Sequence, residues 1–237
     1  MSDVVEIERC GVRAVPPVES VIIEGWHIGL GRGQVHRMNS VTTFGIVPGD
    51  ALETIETVER RYGARHRPAE FRMTELDAEV DDLLYARGYE RSTDVLVMTM
   101  PVDGEPDDEV TMAPAATPGW IDDLGRLGGY DELRSAEIGE SLAGLTLTHG
   151  AFRIGRTAVG LAVVDGPWVG LFDIAVDPES RRDGLGSRIS RAMLAWAAGE
   201  GAERAYLQVT AANEAALALY GKIGFRTVYP YWYRTKG

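Results

Sequence analysis

Hydrophobic and polar positions alternate most clearly after residue 150, and their period changes along the chain in a definite order. Residues 151–156 and 157–164 read as two strands, and Asp165-Gly166-Pro167 reads as the turn after them. Residues 168–176 are almost wholly apolar, which predicts a central strand covered on both faces. Asp177-Pro178 ends it. The period then becomes helical over 186–198, with Ile189, Met193 and Trp196 on one face and Arg188 and Arg191 on another. A strand at 204–210, a helix at 213–223 and a β segment at 226–234 complete the pattern. Upstream, 110–112 reads as a first strand, and a helix beginning near Pro118 carries Trp120, Leu124 and Leu127 on one face. Strands alternating with helices predict an α+β fold built on a mixed α/β sheet.

The stretch Pro101 to Glu109 is acidic, carries Pro101 and Pro106, and reads as an exposed linker. It follows β-type sequence at 92–100 and divides the chain into a lobe of residues 1–100, a linker at 101–109 and a domain of residues 110–237. Shifting the chain by 136 residues lays 69–74 on 205–210, Leu83 on Leu219, Gly88 on Gly224 and Tyr89 on Phe225. Only five of 39 pairs from Ala51/Ser187 to Tyr89/Phe225 are identical, which is near chance. The shared helix-strand-helix order is what suggests a fold duplicated in tandem.

Charge and cysteine content then narrow the function. The 237 residues carry a formal net charge of -12, which leaves no basic footprint for a nucleic acid. Cys10 is the single cysteine, so neither an intrachain disulfide nor a cysteine-based metal cluster is expected. No apolar run reaches the length of a signal peptide core or a membrane span, and the expectation is a cytoplasmic monomer or homodimer without a metal.

Two segments can carry chemistry. In the first, strand 168–176 ends in Asp177-Pro178-Glu179-Ser180-Arg181-Arg182-Asp183-Gly184-Leu185-Gly186, a glycine-containing loop that opens a helix. Unpaired backbone N–H groups and the helix dipole make such a start suitable for a pyrophosphate, and two arginines add charge. An ordinary glycine-softened helix entry explains the same residues. In the second segment Asn213 occupies an N-cap position, Gly224 a stop position, and Tyr220 lies two turns after Asn213 on the same face. A phenol there is either a core residue or a proton donor.

Together, the order strand, Arg181-x-x-Gly184-x-Gly186, helix, strand, Asn213-x6-Tyr220-x3-Gly224-Phe225 resembles the GCN5-related N-acetyltransferase superfamily over residues 108–237. It is most similar to the ribosomal-protein alanine N-acetyltransferase branch. The resemblance implies an acetyl-CoA N-acyltransferase fold and transfer of an acetyl group to a primary amine of a small molecule, protein or peptide. It implies that the backbone of Ile174, Ala175 and Val176 pairs with the pantetheine arm. It also implies that Arg181, Arg182, Asp183, Gly184, Leu185, Gly186 and Ser187 hold the pyrophosphate, that Asn213 contacts the cofactor, and that Tyr220 protonates the leaving thiolate. One position departs from the branch: Gln208 stands where a glutamate serves as general base. Asp173 is the best replacement, Glu214 and His149 are poorer ones, and a non-catalytic acyl-CoA-binding protein is the alternative.

In the first lobe the loop maps onto residues 45–50, Asn213 onto Asp77 and Tyr220 onto Leu84, so this lobe reads as a degenerate copy without a cofactor loop. Trp26, His27, Arg37 and Asn39 read as a hydrogen-bonded strand pair or, alternatively, as an acceptor groove between lobes. Arg60, Arg61, Arg65, Arg67 and Arg72 read as a solvated basic cluster.

Overall fold

The structure, a computed structural model, describes residues 3–113 and 116–236. Met1, Ser2, Pro114, Ala115 and Gly237, which the sequence reading assigns to the two halves, lie outside the described residues. In the first half α1 (Asp3–Ala14) precedes a hairpin of β1 (Ser20–Ile23) and β2 (Trp26–Gly29). Then follow β3 (Val41–Thr42), α2 (Ala51–Gly63), β4 (Glu70–Thr74), α3 (Ala78–Ala86), β5 (Glu90–Arg91) and β6 (Val95–Pro101). The second half begins with β7 (Val110–Ala113), α4 (Pro118–Gly128), α5 (Glu132–Ala143), β8 (Thr148–Ile154), β9 (Ala158–Asp165) and β10 (Trp168–Val176). It ends with α6 (Leu185–Gly199), β11 (Arg204–Thr210), α7 (Glu214–Ile223) and β12 (Arg226–Thr235). The α+β class and mixed sheet expected from the pattern are found, with boundaries within a few residues.

Helix α5 is absent from the sequence reading, and its composition shows why. Its inward face buries Glu137 and Ser141 beside Ile138 and Leu142, which breaks the apolar periodicity. Glu137 is fully buried because its carboxylate accepts from the backbone N–H groups of Arg32 (2.5 Å), Gln34 (2.8 Å) and Val35 (2.9 Å) and from Asn39 Nδ2 (2.8 Å). A buried carboxylate needs such donors. These four bonds tie the segment between β2 and β3 to the second half.

One sheet runs through the molecule in the order β1-β2-β3-β4-β12-β6-β11-β10-β9-β8-β7, with β5 on β12. Its middle is an exchange of strands. β6, from the first half, faces β11 in seven consecutive antiparallel pairs, Val95 opposite Thr210 through Pro101 opposite Arg204. β12, from the second, faces β4 from Tyr231 opposite Thr74 to Thr235 opposite Glu70. The offset of 136 that carries Thr74 to Thr210 also carries Val95 to Tyr231, and those two residues face each other where β6 meets β12. β3 pairs parallel with β4 as β10 does with β11.

The 101–109 segment therefore does not separate two independent sheets. Pro101 belongs to β6, and the following residues are pinned to α6. Arg188 donates to both oxygens of Asp107 (2.7 and 2.9 Å) and to Glu109 (2.6 Å). Gly104 lies against α6 so closely that a Cβ would collide with its backbone. At the opposite end of the chain, α1 buries Ile7, Cys10 and Ala14 against Val159, Leu161, Val163 and Trp168 of the second half. With α4 and α5 it covers one face of the sheet, while α6 and α7 cover the other through Ile189, Met193 and Tyr220.

Arg72 corrects the solvated basic cluster expected at 60–72. It is 2% exposed, donates to Glu8 (2.8 Å), and its guanidinium lies 3.8 Å from the Tyr231 ring centroid. Tyr229 donates to the same Glu8 oxygen (2.8 Å), so α1, β4 and β12 meet at one ion pair. Burial opposes the charge on Arg72, but the Glu8 carboxylate together with Tyr231, Tyr233 and Tyr229 outweighs it, raising its pKa. Arg72→Met leaves Glu8 buried without its cation and should cost about 3–5 kcal/mol, or roughly 10 °C in Tm for a chain of this size. Glu8→Gln in the same chain should recover part of that loss. A thermal melt of the three proteins checks both statements, and an unshifted Arg72→Met midpoint would contradict them.

Candidate active site

β10 and β11 pair only from Trp168/Arg204 to Gly170/Tyr206 and then part. The cause lies in β10, whose register against β9 shifts between Phe172 and Ala175. Asp173 sits in this bulge with φ 51, the left-handed region. Trp168 and Phe172 face the α1/α4/α5 core, whereas Leu171, Ile174 and Val176 pack toward α6. The inserted residue thus breaks the alternation and sets Asp173 beside Phe172 on the α5 side. Beyond the bulge, Ile174, Ala175 and Val176 have no strand partner on the β11 side among the described residues. Their free backbone edge can take an extended ligand as an added strand.

The loop at the end of β10 makes a short turn, Pro178–Ser180, capped by the Asp177 carboxylate on Glu179 N–H (3.0 Å). Arg181, Arg182 and Asp183 follow, all exposed, with Arg182 at φ 77. Gly184 is the N-cap of α6 at φ 79, and no side chain caps the helix. Its first N–H groups are therefore open to a ligand. Leu185 and Ser187 are half-buried, and a Cβ on Gly186 would lie 3.1 Å from Leu219 of α7. The corresponding helix of the first half is closed: the Asp50 carboxylate caps α2 by accepting from Glu53 N–H (2.9 Å). Asp77, in the place of Asn213, is buried and accepts from the Thr43 hydroxyl, Gly45 N–H (3.0 Å) and Thr74 N–H (2.7 Å). Leu84, in the place of Tyr220, is core.

Asn213 caps α7 through Ala216 N–H (3.1 Å) and is exposed. Tyr220 is 8% exposed, stacks edge-on against Phe225 at 5.9 Å, and its hydroxyl has no hydrogen bond among the described residues. Burial pushes its pKa up to about 12, so it is a protonated donor across the neutral range. Gln208 accepts from Tyr231 O–H (3.2 Å), and its Nε2 is buried without a partner. His149 lies at the register of Gly170, away from the bulge, with Nδ1 on the Leu147 carbonyl oxygen (2.8 Å). Glu214 is exposed in the first turn of α7.

On the α5 side of the bulge the structure gathers residues that the sequence reading left scattered. Arg37 lies 5.1 Å from the Phe172 ring centroid, and Arg134 lies 4.2 Å from that of Tyr130. Both arginines act electrostatically on Asp173. Burial raises the pKa of Asp173 from the ordinary 3.8, and Arg37 and Arg134 only partly oppose it. Of the four residues considered for a groove, Arg37 alone reaches this cluster. Trp26 donates to the Ile46 carbonyl (2.8 Å) and Asn39 is held by Val35 and Glu137, which makes them structural. Half-buried His27 lies on the β2–β3 pair. Tyr130 and Arg134 escaped notice because they flank the start of α5, which periodicity does not reveal. A separate cleft of about 470 Å³, lined by Gly104, Asp107, Phe152 and Trp196, lies between α6 and β8 and holds none of these residues.

The sequence of the family described as "Probable histone acetyltransferase Rv0428c C-terminal" matches residues 1–234. The chain belongs to this family. A relative, "Uncharacterized N-acetyltransferase YobR" of Bacillus subtilis (strain 168), is 29% identical over 252 residues and covers 100% of both chains. The "[Ribosomal protein bS18]-alanine N-acetyltransferase" of Escherichia coli (strain K12) is 42% identical over 55 residues, 23% of this chain and 37% of that protein. Among solved structures, the "GCN5-related N-acetyltransferase from Kribbella flavida" matches with a TM-score of 0.73 at 15% identity, covering 100% of this chain and 96% of the other. The fold is thus that of GCN5-related acetyltransferases over the whole family region, the first hundred residues included.

The raised pKa of Asp173 has a sign that a melt can read. A carboxyl that holds its proton more tightly when folded costs stability as pH rises above the ordinary 3.8, and the full cost persists above its folded pKa. Asp173→Asn should therefore melt no lower than wild type at pH 7, with any gain shrinking as pH falls through that range. A less stable Asn variant at pH 7 would mean that attraction to Arg37 and Arg134 outweighs burial.

Proposed function

We propose that this family member is an acetyl-CoA-dependent N-acetyltransferase whose acetyl-CoA site lies in the second half of a tandem pair. Its acceptor is a primary amine of a small molecule, protein or peptide. The observation that carries the reading is the convergence at the end of β10 of an unpaired backbone edge, an uncapped helix N-terminus with Arg181 and Arg182, and a tyrosine hydroxyl without a partner. These features fit the three parts of the co-substrate. Ile174, Ala175 and Val176 would pair with the pantetheine arm, and the segment from Arg181 to Ser187 would hold the pyrophosphate, with Asn213 nearby.

When bound, acetyl-CoA supplies a thioester carbonyl as electrophile. Asp173 accepts the proton that the attacking amine gives up, directly or through water, in place of the base missing at Gln208. Tyr220 donates its proton to the sulfur as the N–C bond forms and the C–S bond breaks, so one proton leaves the amine and one reaches the thiol. The tandem reading is supported by the 136-residue offset that relates both the helices and the exchanged registers. The capped α2, the buried Asp77 and Leu84 support a first half without a second cofactor site.

Calorimetry with acetyl-CoA should give one site per chain, and Gly184→Val, which forces a branched residue into φ 79, should weaken it at least tenfold. Two sites, or unchanged affinity in the variant, would sink the assignment. Thiol release with an amine panel tests turnover, and binding without release on any amine would leave the acyl-CoA-binding alternative. Tyr220→Phe should lower kcat about 100-fold or more while leaving acetyl-CoA affinity nearly unchanged, since its proton is needed only as charge develops on sulfur. Equal turnover would make Tyr220 a packing residue.

A further inference from the structure

The cluster on the α5 side of the bulge is unusual for this protein in its charge. The chain carries a net charge of -12, and most partly buried arginines are matched by carboxylates, as Arg72 is by Glu8, Arg153 by Asp123, Arg188 by Asp107 and Arg234 by Asp81. Arg37 and Arg134 are both partly buried, and neither has a carboxylate within ion-pair distance among the described residues. Each guanidinium lies over an aromatic ring, Phe172 and Tyr130 respectively, and Arg134 Nε is buried without a partner. Tyr206, 1% exposed with its ring centroid 5.8 Å from that of Phe172, carries a hydroxyl with no hydrogen bond among the described residues. Arg37 and Arg134 both act on Asp173, and Arg37 acts on Tyr206 as well. Buried donors left unpaired are costly, and a ligand that satisfies them recovers that cost.

We propose that the acceptor is a small amino-carboxylate, whose carboxylate is held by Arg37 and Arg134 while its amine stands at Asp173, where β10 and β11 part. This rests on the acetyl-transfer reading above and names the substrate class of that site. Planar guanidinium groups suit a carboxylate, and aromatic faces beneath them fix their planes. The arrangement also gives the first half a role in recognition: Arg37 comes from that half, on a segment clamped to α5 by the buried Glu137. A lysine-rich peptide would bring further positive charge toward these arginines and gain nothing from them.

The test compares amines in matched pairs, each amino acid against its carboxamide, by thiol release with acetyl-CoA and by calorimetry in the presence of CoA. The carboxylate form should be preferred at least tenfold in kcat/KM. Arg37→Gln and Arg134→Gln should each raise KM for the carboxylate about tenfold or more with a smaller change in kcat, leave KM for the carboxamide unaltered, and melt near wild type. Arg37→Lys and Arg134→Lys should recover part of the loss. Equal use of carboxylate and carboxamide, or better use of lysine-rich peptides than of any amino acid, overturns the proposal. If no amine releases thiol, the acetyl-transfer reading fails, and calorimetry still decides this one. Carboxylate-dependent, arginine-dependent binding sustains the anion site, and its absence removes it.

Discussion

Strand β11 leaves β10 after Tyr206, and backbone groups that lose a ladder inside a protein must find other partners. β11 stays in the sheet beyond that point because β6 pairs with it along its whole length on the other side, from Arg204 to Thr210. With that edge satisfied, the bulge at Asp173 can hold the two strands apart without unravelling the sheet. The notch, the free edge of β10 and the placement of Asp173 all follow from this pairing. The strand that supplies it comes from the first half of the chain, so that half shapes the notch between β10 and β11.

The dependence runs in both directions. β12 of the second half completes β4 of the first, and its Tyr229 and Tyr231 surround the Arg72–Glu8 pair that also fastens α1. α1 in turn covers β9 and β10. Glu137 on α5 organises the segment that carries Arg37. Neither half has a complete sheet without the other, and the buried Arg72–Glu8 pair and Glu137 carboxylate find their partners across this interlocking.

The N-termini of α2 and α6 are finished differently. Helices α2 and α6 occupy related places, and the difference lies in what meets their first N–H groups. Asp50 satisfies α2 with its own carboxylate; Gly184 leaves α6 unsatisfied and Arg181 and Arg182 exposed beside it. A capping carboxylate takes up donors and the helix dipole that an anion would otherwise use.

The strands from β8 onward, α6, α7 and the glycine loop were legible in the sequence because each is specified by local properties: apolar period, turn residues, an N-cap, glycines at φ near 80. Asp173 and Tyr220 could be named because their neighbours form contiguous motifs. The exchange of β6 and β12 was not legible, since a strand's period says which faces it buries and nothing about which strand lies beside it. For the same reason Arg72 read as a solvated charge until Glu8, 64 positions away, was found against it. Helix α5 was hidden because a buried glutamate interrupts its apolar face, and the donors that permit it lie about a hundred residues upstream. The meeting of Arg37, Arg134 and Asp173 likewise joins residues that share no local pattern, and only the closing of the sheet around the bulge brings their charges together.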